Sequence, residues 1–388
     1  MKMKKKEEKV APTISQSGDV KKIRDALNTQ LKANVAQEVT EKSTIVLSSG
    51  ILSMDLAVNN GGLVLGRVMD IFGWEGTGKT LMCMTIGGYI QRCTKLDKEG
   101  KTVNRVVAFL DAEGTFSKNF AAGAGMNTDE LILVQSTPEK IISGEEYFDI
   151  MATLIGMGAD YIILDSCPAL NPNQIMMNTT GFGQKSPIGQ LMSSGLNKIT
   201  PIVNANGQTL VHFINQKRGR PMAKAWESSE TETGGNALKF YSSYRFEVVH
   251  ADDILKNVLG ADGVYREKKV GVTSKVRIIK NKTAPIPPYL PSSNYHFEFD
   301  VYFEPFKDET GMEYHRGVDV TSDFAAVGVR TGVIKQGGSW FTFGDIKAAG
   351  MAALIQKIRE HPEVMNDIRN EVFNKMGVTA KPVIQDGE

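Results

Sequence analysis

Gly73-Trp74-Glu75-Gly76-Thr77-Gly78-Lys79-Thr80 meets the pattern GxxxxGK[ST] at every required position. An apolar run at 67–72 leads into it and a helical pattern at 79–92 leads out, the strand-loop-helix setting that a phosphate-cradling loop needs. The glycines let backbone N–H groups turn toward phosphate oxygens, Lys79 adds a point charge, and the Thr80 hydroxyl suits Mg²⁺. Gly73, Glu75, Gly76, Thr77, Gly78, Lys79, Thr80 and Leu81 are therefore the expected nucleotide contacts, with ATP and Mg²⁺ as the expected ligands.

Working outward, short apolar runs alternate with helical patterns from about 43 to 301, which predicts strands and crossover helices in a mostly parallel sheet. The expected strands are 67–72, 105–111, 131–135, 160–165 and 209–215. Such runs are hydrophobic almost throughout because helices cover both faces of a parallel sheet. The later runs 243–249, 274–280 and 295–303 lack long helices between them and are expected as antiparallel additions. Four prolines between 284 and 293 mark a loop. Beyond it, helical patterns at 344–360 and 362–376 suggest a small C-terminal domain.

The fold class is thus α/β, a P-loop ATPase core of mostly parallel sheet flanked by helices, with an N-terminal helical arm and a small C-terminal α/β domain. The expected division is 1–42, 43–319 and 320–388. In the arm, 1–17 reads as a tail with five lysines. After it Ile23, Ala26, Leu27, Leu31 and Val35 recur at helical spacing over 19–38, giving an amphipathic helix that needs a partner surface. It could dock on its own domain or on a neighbouring subunit.

With 45 basic and 44 acidic residues the net charge is +1, so nucleic-acid binding must come from local clusters. Cys83, Cys93 and Cys167 form no CxxC pair and are expected as buried free thiols in a reducing compartment. No apolar stretch is long enough to span a membrane and the lysine-rich start lacks a signal-peptide core, so a cytoplasmic protein is expected.

A Mg²⁺-binding carboxylate is expected at the end of another central strand, where Tyr161-Ile162-Ile163-Leu164-Asp165 supplies Asp165. Thr80 and Asp165 are the expected metal ligands. Hydrolysis also needs an oriented water, and Glu113 lies just past the strand expected at 105–111, where ligands collect in open α/β sheets. Glu113 is the general-base candidate, with Lys79 beside it in the catalytic set.

At this point several segments together resemble the bacterial branch of the RecA family of homologous-recombination ATPases, from about 47 through 376. They are Gly61-Gly62-Leu63 with Gly66-Arg67, Phe109-Leu110-Asp111-Ala112-Glu113, Leu164-Asp165-Ser166, Phe213-Ile214-Asn215-Gln216, Thr233-Gly234-Gly235-Asn236-Ala237-Leu238-Lys239-Phe240-Tyr241 and Lys280-Asn281-Lys282. The resemblance implies that Glu113 activates water, that Gln216 senses the γ-phosphate and that Phe120 stacks on adenine. It further implies that Lys280 and Lys282 reach the ATP of an adjacent subunit, and that Lys239 and Phe240 connect neighbouring ATP sites. The implied partners are single-stranded and double-stranded DNA and further copies of the chain in a helical filament. The implied activity is DNA-dependent ATP hydrolysis coupled to homologous pairing and strand exchange.

Two segments, 171–189 and 217–235, look too irregular for core elements, and they match in position the family's two DNA-binding loops. The first offers Met176, Met177, Phe182 and Lys185, whose apolar groups suit wedges between bases. The second offers Lys217, Arg218, Arg220, Lys224 and Trp226, charge beside a flat ring as single-strand binding requires. Gly234, Gly235 and Asn236 close it and complete the expected DNA contacts. The second loop departs from the bacterial pattern, which fits a viral or otherwise distant member. Trp340, Lys347, Lys357 and Arg359 resemble the C-terminal module that receives duplex DNA.

Two other readings compete. A ring-forming motor such as a hexameric DNA helicase shares the phosphate loop and Glu113, but the 233–241 run and the lysines at 280 and 282 oppose it. A filament accessory protein without turnover is opposed by intact Lys79, Glu113 and Gln216.

Overall fold

Strands that are apolar at every position need two covered faces, and the chain supplies them. The computed structural model describes residues 20–33, 35, 44–177, 187–219, 230–260, 262–286 and 295–378. Ten strands form the main sheet. In chain order they are β1 (Arg67–Gly73), β2 (Val107–Asp111), β3 (Leu131–Gln135), β4 (Tyr161–Asp165), β5 (Leu210–Gly219), β6 (Glu230–Glu232), β7 (Tyr244–Leu259), β8 (Tyr265–Asn281), β9 (His296–Tyr302) and β10 (Gly317–Val318). Their spatial order is β10-β9-β8-β7-β1-β5-β4-β2-β3, with β6 attached to β5. From β7 through β3 all neighbours are parallel. The β7-β8, β8-β9 and β9-β10 pairs are antiparallel, as expected for the later runs.

Alternation along each strand builds two cores. On β4, Tyr161 and Ile163 face the cluster that contains Leu81, Met82 and Ile86 of the helix after the phosphate loop. Ile162 and Leu164 face the cluster holding Phe148, Met151, Leu196 and Ile199. The helices in chain order are α1 (Val20–Leu31), α2 (Leu52–Ala57), α3 (Lys79–Gln91), α4 (Lys118–Gly123), α5 (Gly144–Met157), α6 (Asn173–Met177), α7 (Pro187–Asn206), α8 (Ala237–Tyr241), α9 (Val320–Arg330), α10 (Met351–Glu360) and α11 (Val364–Met376). A capping box of Ser143 and Glu146 starts α5 by satisfying two amides that a helix start leaves without partners.

The backbone divides into two compact units, Met1–Ser43 and Thr44–Glu388. In the first, α1 carries the expected stripe, with Ile23, Leu27 and Leu31 exposed. Within the second, the segment from Val320 onward gathers its own apolar cluster, joined by Leu52 and Leu56 of α2.

The structure corrects several expectations. β7 and β8 run to 16 and 17 residues, well past the predicted strands. The start of the helix expected at 344–360 is instead the last strand of a three-stranded sheet, β11 (Lys335–Gly337), β12 (Trp340–Phe343) and β13 (Ile346–Ala349), and α10 begins only after Gly350. Phe341 and Ala348 are register partners and both are buried, so alternation rather than helical spacing governs there. The two expected loops also hold regular structure. In 171–189, α6 forms and α7 has begun by Pro187; in 217–235, β5 continues through Gly219 and pairs antiparallel with β6.

Candidate nucleotide site and DNA-facing loops

β1, β2, β4 and β5 all end on one edge of the sheet, and each delivers a polar group there. The loop after β1 turns through Gly76 and Gly78 in left-handed conformations, with φ of 73° and 84°. A Cβ on Gly73 would lie 2.2 Å from the Val248 carbonyl oxygen, so only glycine lets β1 run so close to β7 at the loop entrance. Thr77 Oγ1 donates to the Trp74 carbonyl at 2.9 Å, and Ser274 Oγ on β8 donates to the Thr77 carbonyl at 2.9 Å. These bonds tie the loop to itself and to a distant strand.

Lys79 opens α3, and its Nζ donates to the Trp74 carbonyl at 2.6 Å. Burial holds its ammonium pKa below the usual lysine range, while Asp165 opposes that shift. Thr80 Oγ1 donates to Asp165 Oδ2 at 2.8 Å. Burial pushes the Asp165 carboxyl up to about 7, against the Thr80 bond and with repulsion from Glu113 and Asp111. A hydroxyl and a carboxylate set side by side are the hard oxygen donors that Mg²⁺ takes, so Thr80 and Asp165 fit such an ion.

Glu113 accepts a hydrogen bond from Ser166 Oγ and a long one, 3.5 Å, from Gln216 Nε2 at the end of β5. Asp111 anchors the turn after β2 by accepting from the amides of Gly114 and Phe116, which fixes where Glu113 stands. Glu75, Gly76, Thr77, Gly78, Lys79, Thr80, Leu81, Glu113, Phe120, Asp165 and Gln216 line one cavity, joined by Ile214 and Phe303. The Arg316 guanidinium stacks 4.7 Å from the Phe120 ring centroid and so covers one ring face.

Lys280 and Lys282 do not line that cavity. β1 leaves the sheet for the phosphate loop at Gly73, opposite Val248, whereas Lys280 pairs with Arg245, three residues nearer the start of β7 and opposite Asp70 of β1. Lys280 Nζ donates to the Lys239 carbonyl, and burial, with repulsion from Lys282, lowers its pKa to about 8. Phe240 beside it is 72% exposed.

The second expected loop is anchored more firmly than its composition suggests. Lys217 is ion-paired to Glu247 and mostly buried, whereas Arg218 on the same strand is exposed. Asn215 donates to the Thr233 carbonyl at 3.1 Å, hooking the returning chain next to Gln216. Gly234 and Gly235 take positive φ, and Asn236 stands at the residue before α8 with no side-chain bond to the helix amides. Arg218, Gly234, Gly235 and Asn236 thus stand around the hairpin stem, while Arg220, Lys224 and Trp226 lie outside the described residues. In the first loop Met176 is exposed on α6, which ends at Met177; Phe182 and Lys185 lie outside the described residues. Toward the C-terminus, Lys347 stacks on exposed Trp340, with 5.0 Å from Nζ to the ring centroid, while Arg359 is an internal strut bound to Asp319 at 2.9 Å.

Sequence reasoning passed over Ser166, Ser274 and Arg245. Arg245 is buried, donates from Nε to Asp70 at 2.8 Å and also binds Glu232 of β6, joining the sheet centre to the hairpin stem. Only the pairing of β7 between β1 and β8 reveals that role.

Comparison with known proteins matches the RecA N-terminal domain over residues 20–299 and the RecA C-terminal domain over residues 323–377. This chain belongs to the RecA family. Protein RecA of Bdellovibrio bacteriovorus is 33% identical over 346 residues, covering 88% of this chain and 80% of that protein. Protein RecA of Thermus thermophilus is 32% identical over 343 residues, 88% of each, and that of Gluconobacter oxydans is 31% identical over 347 residues, 89% of this chain and 88% of that protein. As a RecA-family member it is a nucleotide-binding, ATP-dependent DNA recombinase and a DNA-dependent ATPase, and the ring-motor and accessory readings fall away. Cys83, Cys93 and Cys167 are buried and form no disulfide, and no group of three or more metal-ligating side chains occurs among the described residues. Among those residues no helix is long and apolar enough to cross a membrane.

Proposed function

We propose that this recombinase binds ATP in the cavity between the phosphate loop, Phe120 and Gln216, and that γ-phosphate occupancy there sets the posture of the DNA-binding hairpin. The carrying observation is β5: Gln216 reaches Glu113 at the strand's catalytic edge, and from the next residue, Lys217, the same strand forms the hairpin stem with β6. A shift of the Gln216 amide toward a phosphate oxygen is passed along a paired strand to Arg218.

In this reading the loop amides and Lys79 hold the phosphates, and Glu113, oriented by Ser166, accepts the proton of the attacking water. Mg²⁺, held by Thr80 and Asp165, would offset charge on the β- and γ-phosphates when bound. The free face of Phe120, opposite Arg316, takes the base. Lys280 and Lys282, remote from the chain's own cavity, serve the ATP of the next subunit, with Lys239 and Phe240 in the same contact. ATP bound between subunits then stabilises the filament by mass action. Met176, Met177 and Lys185 in the first loop, and Arg218, Arg220 and Trp226 with the 234–236 turn in the second, contact single-stranded DNA. Lys217 plays a smaller part because of its Glu247 pair. We read 1–42 as an oligomerisation arm, 43–319 as the ATPase core and 320–388 as a duplex-contacting domain, working in the cytoplasm.

The deciding assay is strand exchange between homologous single-stranded and duplex DNA with ATP and Mg²⁺, run beside DNA-stimulated hydrolysis. Gln216→Ala should retain ATP binding and lose DNA stimulation. A Gln216→Ala protein stimulated as strongly as the parent would break the proposed relay.

A further inference from the structure

A second cleft, of about 310 Å³, opens between the far end of α3 and the start of α11, away from the phosphate loop. Tyr89, Phe324 and Met365 give it apolar walls, and Arg92, Arg369 and Asn366 give it polar ones. Arg369 is only 3% exposed. Its guanidinium lies 5.8 Å from the Tyr89 ring centroid and 5.1 Å from that of Phe324. Nη1 donates to Asn366 Oδ1 at 2.9 Å, and Nε has no acceptor among the described residues.

A buried guanidinium without a carboxylate partner is costly, and structures keep one where an anion completes it. Buried Asp55 feels this charge, but its carboxylate is engaged by Ser48 and Ser49 and forms no ion pair with Arg369. Arg92 brings a second guanidinium, 5.9 Å from the Tyr89 ring centroid, and also donates to the Gly125 carbonyl at 3.0 Å. Glu363 is the one acid lining the cleft among the described residues, and it stands 3.3 Å from His361. The first turn of α11 borders the cleft, so the positive end of a 13-residue helix adds to the field.

We infer that this cleft binds a small phosphorylated molecule carrying an aromatic or apolar group, on the scale of a mononucleotide. Arg369 and Arg92 take the phosphate in charge-assisted hydrogen bonds. Tyr89, Phe324 and Met365 cover the ring. The volume is that of a small-molecule pocket rather than a duplex-binding surface. α3 carries Lys79 at one end and Tyr89 about 15 Å along, so an occupant braces the helix that begins at the phosphate loop.

The test uses the full chain with Lys79→Ala, so that the phosphate loop contributes little, and follows dAMP and inorganic phosphate by calorimetry and thermal melting at matched ionic strength. The inference stands independently of the ATP reading, which is tested on the parent chain. Saturable one-to-one binding of dAMP is expected, with inorganic phosphate weaker. Arg369→Met and Arg92→Gln should each lower dAMP affinity at least tenfold, and exposed Arg92→Gln should keep the ligand-free melting temperature. No saturable dAMP binding, or unchanged affinity in Arg92→Gln and in a folded Arg369→Met, overturns the site and leaves Arg369 a stacked core cation. A duplex oligonucleotide that displaces dAMP would reassign the cleft to DNA and overturn the small-molecule assignment.

Discussion

Around Asp165 the side chains hold one another: Thr80 bonds Asp165, Ser166 bonds Glu113, and Gln216 reaches the same glutamate. Around Lys280 the chain turns side chains outward instead, with Phe240 mostly exposed, Ile279 half exposed and a lysine crowded by a second lysine. The first region is preorganised for chemistry, and the second is built to be completed by something else. The difference teaches where assembly enters. In the function proposed above, one chain supplies a nearly finished catalytic wall, and a neighbour's lysines add the missing charge.

Breaking the finished wall should have the largest effect. Lys79→Ala removes the cation facing the phosphates and should lower kcat/KM for ATP by roughly 10²–10³-fold or more, measured in a DNA-stimulated ATPase assay. Glu113→Gln keeps the Ser166 contact but not the base, so hydrolysis should fall about 10²–10⁴-fold while ATP-dependent DNA binding persists. Normal turnover in that variant would move the base elsewhere.

The unfinished region should respond to pH. Lys280 is charged below its lowered pKa of about 8 and neutral above it, so ATP-dependent filament assembly, followed by light scattering, should decline as pH rises through about 8. Lys280→Arg keeps its charge and should flatten that decline. A parent profile level from pH 7 to 9 would remove Lys280 from the contact with ATP.

The smallest effect separates two adjacent cations. Arg218→Ala should reduce the salt slope of single-strand binding by about 0.7, the loss of one phosphate contact. Lys217→Ala should change the slope far less, because Glu247 already neutralises Lys217. Equal slopes for the two would void the distinction drawn from the hairpin stem.

What was legible in the sequence divides along similar lines. The phosphate loop, the five parallel strands and Asp165 could be read because local pattern and burial agree there: the central strands are buried on both faces, and β4 ends at Asp165. The ends of the two expected loops read as irregular in the sequence, since Lys217 and Arg218 continue β5 only because β6 returns to pair with them. The stretch at 344–349 read as helix although Phe341 and Ala348 meet across a hairpin, a contact that spacing along one strand does not announce. Arg245 looked like an ordinary strand cation. Its role exists only where β1, β6 and β7 converge.

β8 touches its own phosphate loop through Ser274 and carries Lys280 six residues later. At strand rise this separation is about 20 Å. If Lys280 grips the next subunit's ATP, a single stiff strand acts as a spacer bar between successive fuel sites, and the pitch of the assembly is written partly in its length. Lengthening that interval by two residues would keep the faces in register while pushing the two sites out of reach of each other.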